Sequence, residues 1–265
     1  LQQALGNGIV MQLADILFSQ GFGTRRVCFG LVQAGLVDWR KGQGDWQRAE
    51  DALQELDTSE AGGALMLRVQ GEVWPYKAKA YLMLHKPVAT ECSARPSAYP
   101  SIYTLLPAPL RQRPVKGGKP GVQAIGRLDQ DTTGLLLLSD DGAFIHRMSA
   151  PRHQVPKVYE VRAKHPVTAR QIQQLLQGVV LHDSHATVRA DACTQHSPTH
   201  LSLTLHAGKY HQVKRMVAAV GNRVEALHRS RIGQLELPQT LAPGQWRWLS
   251  GGDLQALGWS PQAAA

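Results

Sequence analysis

Between Met11 and Phe18 the apolar positions Leu13, Ile16 and Leu17 recur at helical spacing, and Gly21 and Gly23 then break the pattern. One short helix is predicted there. Thr24 offers a capping hydroxyl, and the apolar stripe Val27, Cys28, Leu31 and Val32, stopped by Gly35, predicts a second helix. Residues 36–39 read as a strand, and residues 58–63 are small and polar, as in a linker or an insertion. Farther along, residues 80–84, 122–125, 134–138, 158–162, 187–193 and 201–205 read as strands with turn residues between most of them. Helical patterns are fewer: 142–148, 169–176 behind the cap Thr168, and 210–220 ended by Gly221. Strands outnumber crossover helices, so the expected class is α+β. A small helix-and-strand module at 11–68 precedes a body at 77–265 built on a mixed, mainly antiparallel sheet. No fixed-period repeat is present.

Composition adds limits. A chain of 265 residues with 43% hydrophobic content can bury a real core, and its longest aliphatic run, residues 135–138, is far too short to span a bilayer. The first residues show no basic, apolar and small-residue leader pattern, so a cytoplasmic protein without a membrane segment is expected, with a monomer as the default. Cys28, Cys92 and Cys193 are odd in number and widely spaced, which argues against a disulfide framework and leaves reduced core thiols. The formal net charge of +9 and pI near 9.7 favour an anionic partner, nucleic acid first.

The stretch GRLDQDTTGLLLLSDDG, residues 126–142, sets a polar loop between two apolar strands. Asp129 follows Arg127 and Leu128 and precedes Asp131, Thr132 and Thr133, so a carboxylate there can reach a cleft; it reads equally well as a turn residue. PRHQVPKVYEV, residues 151–161, brings Arg152, His153, Lys157 and Tyr159 to the start of a strand. HAGKYHQVKRMVAAVGN, residues 206–222, sets Lys209, His211, Lys214 and Arg215 around a helix start, with Lys214 beside the stripe Val213, Met216, Val217 and Val220. From His206 to Arg231 six Lys or Arg face one acidic residue, Glu225. In the N-terminal module, Arg25 and Arg26 stand at a helix start where backbone N–H groups also point at an anion.

Other groups carry less. The pairs His182/His185 and His196/His200 have no companion Cys or carboxylate at a recognisable interval, so no metal is expected. Asp183, Ser184 and His185 are consecutive, whereas a nucleophilic triad works by convergence in space. Trp246 and Trp248 have strand spacing that puts both rings on one face, where packing is expected.

The N-terminal order of pieces in QLADILFSQGFGTRRVCFGLVQAGLVDW resembles the S4 RNA-binding module, although Leu13, Ala14 and Asp15 depart from its usual opening and residues 40–63 are longer and more acidic. Over residues 77–265 the segments quoted above, with YLMLHKP at 81–87 and HRSRIGQLEL at 228–237, resemble the pseudouridine synthases that modify ribosomal RNA, its small-subunit branch first. His85 stands where the family often has asparagine. The resemblance implies that Asp129 is the catalytic aspartate, that Tyr159 packs on the target base, and that Lys214 pairs with the aspartate.

A base-stacking ring and a carboxylate at the sugar suit cleavage and re-formation of a glycosidic bond, with no cofactor. Arg127, with Arg152, Lys157, His211 and Arg215, is then expected to hold the RNA; Arg127 and Tyr159 also read as a structural ion-pair residue and a half-buried strand tyrosine. The implied target is a uridine of 16S rRNA, position 516, in the rRNA itself or in a small-subunit assembly intermediate. A 23S rRNA target and a non-catalytic assembly factor are the alternatives; Asp129, Tyr159 and Lys214 together argue against the second.

Overall fold

The computed structural model describes residues 10–115, 117–118, 121–181, 187–206, 208 and 211–260. His182, Asp183, Ser184, His185, Lys209 and Tyr210 lie outside the described residues. The chain forms two compact units, Leu1–Ala80 with Leu106–Val122, and Tyr81–Leu105 with Gln123–Ala265.

In the first unit, helix Leu13–Gln20 buries Leu13, Ile16 and Leu17 and ends at Gly21, whose φ of 89° lies in the left-handed region. Glycine is required there twice over, because a Cβ would sit 2.1 Å from the Pro109 carbonyl oxygen. Helix Arg25–Gln33 is capped as expected, with the Thr24 hydroxyl accepting from the Val27 N–H at 3.3 Å. It buries Cys28 and Val32, while Val27 is exposed, so the apolar stripe is narrower than the spacing suggests. A four-stranded antiparallel sheet follows in the order Gln47–Arg48, Val37–Lys41, Leu65–Val69, Glu72–Pro75.

This unit also takes in helix Ala108–Gln112, from a segment assigned by sequence to the second body. The physical tie is Arg113. Its guanidinium is buried and donates to Gln20 Oε1 at 2.9 Å and to the Lys77 carbonyl at 2.7 Å.

The second unit is built on a nine-stranded sheet. Its order is Ala192–Ser197, His200–Leu205, Lys157–Ala163, Val224–Ile232, Thr132–Ser139, Tyr81–Lys86, Trp246–Trp248, with Leu235–Glu236 added to Val224–Ile232 and Gln123–Ile125 to Thr132–Ser139. Among the described pairs of this sheet, Val224–Ile232 with Thr132–Ser139 is parallel and the rest are antiparallel, the mixed sheet that was expected.

Two apolar clusters flank it. Leu201, Leu203 and Leu205 pack with Val213, Met216 and Val217 of helix Gln212–Ala219 and with Leu175 of helix Ala169–Gln177. Met83, Leu135 and Leu137 pack with Phe144 and Met148 of helix Gly142–Ser149 and with Leu254 of helix Gly251–Ala256. Burying each such leucine contributes about 1.5–3 kcal/mol.

Several elements differ from the sequence expectation, two of them at the nine-stranded sheet. The single strand at 187–193 is two strands, Thr187–Val188 and Ala192–Ser197. Between them the backbone turns aside, the Ala190 N–H donating to the Leu175 carbonyl at 2.9 Å. The longest strand, Val224–Ile232, has no counterpart in the predicted elements, because its centre, HRSR, shows no apolar alternation. Trp246 and Trp248 do share a strand, both half-buried, with ring centroids 5.9 Å apart. No described helix is long and apolar enough to cross a membrane.

Candidate active site

Strands Gln123–Ile125 and Thr132–Ser139 pair antiparallel, so residues 126–131 form the loop that joins them. Local chemistry holds that loop. Leu128 is buried, and its N–H donates to Cys92 Sγ at 3.5 Å. The Thr132 N–H closes back on the Asp129 carbonyl at 3.0 Å, and the Ala89 N–H donates to the Gln130 carbonyl at 2.8 Å. Beneath it lies Lys86, fully buried, whose Nζ donates to the carbonyls of Thr132 at 2.9 Å, Pro87 at 3.0 Å and Gln130 at 3.4 Å. Burial pushes the Lys86 pKa below its ordinary value.

Helix Gln212–Ala219 turns its apolar face, with Val213, Met216 and Val217, to the core and leaves Lys214 at the edge. Its N-cap His211 has φ 48° and ψ 30°, an uncommon backbone for a non-glycine residue. That turn aims the imidazole at the loop. His211 Nε2 stands 3.1 Å from Asp129 Oδ1, and Lys214 Nζ stands 3.0 Å from Asp129 Oδ2 and 2.6 Å from Asp131 Oδ1. Burial alone would lower the Lys214 pKa, but the hydrogen bonds and charges of Asp131 and Asp129 outweigh it and the value is raised. For Asp131 burial acts upward and is outweighed by the Lys214 hydrogen bond and charge, so its carboxyl is held below the ordinary range.

A cleft of about 390 Å³ opens beside this cluster, lined among others by Arg127, Asp129, Tyr159, His211 and Gln212, with Leu205 and Leu227 on its apolar side. Tyr159 is buried on strand Lys157–Ala163 and turns its ring to that wall. Thr132 also lines the cleft, and its buried Oγ1 has no hydrogen-bond partner among the described residues. The arrangement offers a carboxylate fixed between two cationic or donor groups, a ring and a guanidinium, around one open cleft.

Asp129, Tyr159, Arg127, His211 and Lys214, separated widely in sequence, thus come together. Arg152 and Lys157 do not line the cleft. Arg152 is exposed, its Nε 3.3 Å from His153 Nε2, and Lys157 is half-buried with its Nζ on the Val155 carbonyl at 3.0 Å. Arg215, one position past Lys214, is half-buried on the same helix. In the first unit Arg25 pairs with Asp15 at 2.9 Å and lies over the Phe18 ring, and Arg26 is exposed.

Sequence reasoning assigned no role to Lys86, Asp131 or Arg229. The fully buried Lys86 stands directly before Pro87 in YLMLHKP, a signal available in the sequence. Arg229, buried, donates from Nε to the Leu135 carbonyl at 2.8 Å, a position visible only once strand Val224–Ile232 is recognised.

Residues 80–219 match the family model of RNA pseudouridylate synthases. The chain is 40% identical over 178 residues to the ribosomal small subunit pseudouridine synthase A of Yersinia pestis, covering 67% of this chain and 72% of that protein. With the protein of the same name from Vibrio cholerae the identity is 37% over 201 residues, covering 76% and 84%. A crystal structure of a pseudouridylate synthase superposes with a TM-score of 0.61 at 29% identity, covering 93% of this chain and 99% of the other. The family match takes in strand Thr132–Ser139, strand Lys157–Ala163, the 126–131 loop and helix Gln212–Ala219, and the chain belongs to the RNA pseudouridylate synthase family: it is a pseudouridine synthase.

Proposed function

We propose that this enzyme converts one uridine of small-subunit rRNA, the position 516 implied by the sequence resemblance, to pseudouridine, with Asp129 as its catalytic carboxylate. The observation that carries the reading is the carboxylate of Asp129 held at 3.0 Å by Lys214 and 3.1 Å by His211 at the edge of a cleft that Tyr159 and Arg127 also line. In the reaction the C1′–N1 bond breaks, the freed uracil turns, a C5–C1′ bond forms, the C5 proton leaves and N1 takes up a proton. Atoms and electrons balance without an oxidant, reductant or cofactor. Asp129 serves either by attack at C1′ or by taking the 2′ hydrogen, and in both roles Lys214, 3.0 Å away, holds the carboxylate in place.

Tyr159 stacks on the extruded base, and Arg127 holds the flipped nucleotide's phosphate with its planar fork. The first unit, with Arg25 and Arg26, docks the RNA as an S4-like module and takes no part in the chemistry. The small-subunit assignment is supported by the names of the relatives at about 40% identity and by the GKYHQVKRM wording. An rRNA substrate makes the enzyme cytoplasmic, and it is taken to act as a monomer.

Asp129→Asn keeps size and most hydrogen bonding but removes the charge. This variant should fold, bind an rRNA fragment as the parent does, and form pseudouridine roughly 10³-fold more slowly or worse. Turnover within a few-fold of the parent would show that Asp129 is a turn residue, since asparagine serves equally well in turns. Mapping pseudouridine in rRNA from cells with and without the protein tests the target. Loss confined to large-subunit rRNA would overturn the small-subunit assignment.

A further inference from the structure

Strand Lys157–Ala163 alternates its side chains, so Glu160 points to the sheet face opposite the Tyr159 ring. Glu160 pairs in register with Ser202, and Ser202 with Thr194. His200 lies two places along its strand from Ser202, so the period of two puts it on the Glu160 face, and His196 is the residue left unpaired at the bulge between Gln195 and Ser197. The side chains meet there. His200 Nε2 is 3.0 Å and His196 Nε2 is 3.9 Å from Glu160 Oε2, and the three ligating atoms lie within 4.8 Å of one another.

We propose that Glu160, His196 and His200 form a binding site for a divalent transition-metal ion, Zn²⁺ foremost, on the back of the strand that carries Tyr159. The donor set is the argument: two imidazoles and one carboxylate are a common protein complement of zinc, and the fourth position is left to water. Zn–ligand bonds of about 2.0–2.1 Å at tetrahedral angles separate the donor atoms by about 3.3 Å. The Glu160–His200 pair already meets that spacing. His196, with 43% of its side chain exposed, has the freedom to close the rest.

An outer shell is also present. Ser230 Oγ donates to Glu160 Oε1 at 3.1 Å, which leaves Oε2 turned to the imidazoles, while Ser202 Oγ, 3.0 Å from His196 Nε2, would give that nitrogen up to the ion. The sequence expectation of no metal rested on spacing, and spacing could not reveal a carboxylate supplied from two strands away. An ion here would tie strands Lys157–Ala163, Ala192–Ser197 and His200–Leu205 together, and so stiffen the wall behind Tyr159 without touching the reaction.

The test uses the untagged full chain, titrated with Zn²⁺ by calorimetry and with Co²⁺ by visible absorption. Saturable binding of one equivalent is expected, with a rise in Tm on adding Zn²⁺. Both should vanish in the double variant His196→Ala with His200→Ala, and Ser230→Ala should weaken binding about tenfold. Glu160→Gln keeps the shape of the side chain and should also lose the ion, which guards against a double variant that is merely unstable. Absence of saturable Zn²⁺ binding by the parent, or undiminished binding by the double variant, would overturn the site and leave a histidine–carboxylate ion pair.

Discussion

Lys157 carries an ammonium in a place that disfavours it. Burial, with the nearby Arg229 charge, brings its pKa from 10.5 down to about 8. Below pH 8 both folded and unfolded chains hold the proton, so the penalty is complete there; between about 8 and 10.5 the folded chain sheds it first and stability rises with pH. Lys157→Met should therefore stabilise the protein at pH 7. The shift corresponds to roughly 3 kcal/mol, and losing the bond to the Val155 carbonyl offsets about 1, which leaves about 2 kcal/mol. Urea denaturation at pH 7 and pH 10 checks it, and a gain of equal size at both values would refute the burial argument. The sequence had grouped Lys157 with Arg152 and Tyr159 by proximity alone. Strand geometry separates them, because only the structure tells which side chain reaches the cleft. Asp129 and Lys214 are 85 residues apart, and their meeting was legible only through the family resemblance.

At the scale of elements, local capping chemistry made some helices legible, while helix Gly251–Ala256, with its own capping box of Ser250 and Asp253, was not predicted. Thr168 caps helix Ala169–Gln177 in a full capping box with Gln171, and that signal lies within four residues of sequence. Strand Val224–Ile232 escaped because its polar centre is stabilised by partners on both sides, information that lies in other parts of the chain. The loop at 126–131 is an element in the same sense, since the buried Lys86 holds it by the Gln130 carbonyl within it and the Thr132 carbonyl at its end. Lys86→Met keeps the volume but leaves those carbonyls short of a donor. We expect a loss of about 2 kcal/mol and a fall in kcat exceeding the change in KM, because the Asp129 loop loses its support. Thermal melts beside steady-state kinetics on an rRNA fragment check this. A variant with parental kcat would show that the loop holds its form without Lys86.

For the molecule as a whole, the net charge of +9 sets the terms of association. If about six phosphates are neutralised on binding, affinity for rRNA should fall by ~10³ between 50 and 200 mM salt. Filter binding across that range measures the slope, and a flat response would remove phosphate contacts as the main source of affinity. Composition made this much legible, and the mixed sheet followed from the count of strands against helices. The division into units was less legible, because Leu106–Val122 joins the first unit through Arg113, a contact made across 93 residues to Gln20.

The parallel pairing of Leu227 to Arg229 with Thr132 to Gly134 has a further consequence, in time rather than in space. The two partners are separated by some 95 residues, and loop closure over such a distance must precede any reward from the contact. During synthesis the strand that ends the Asp129 loop is made long before its neighbour, and lies at the open edge of an unfinished sheet. A ribosome translating this message therefore releases no working enzyme until Ile232 has emerged, and the nascent chain passes through a stage at which the edge at Thr132–Gly134, next to the Asp129 loop, still lacks its partner and is open to misassociation.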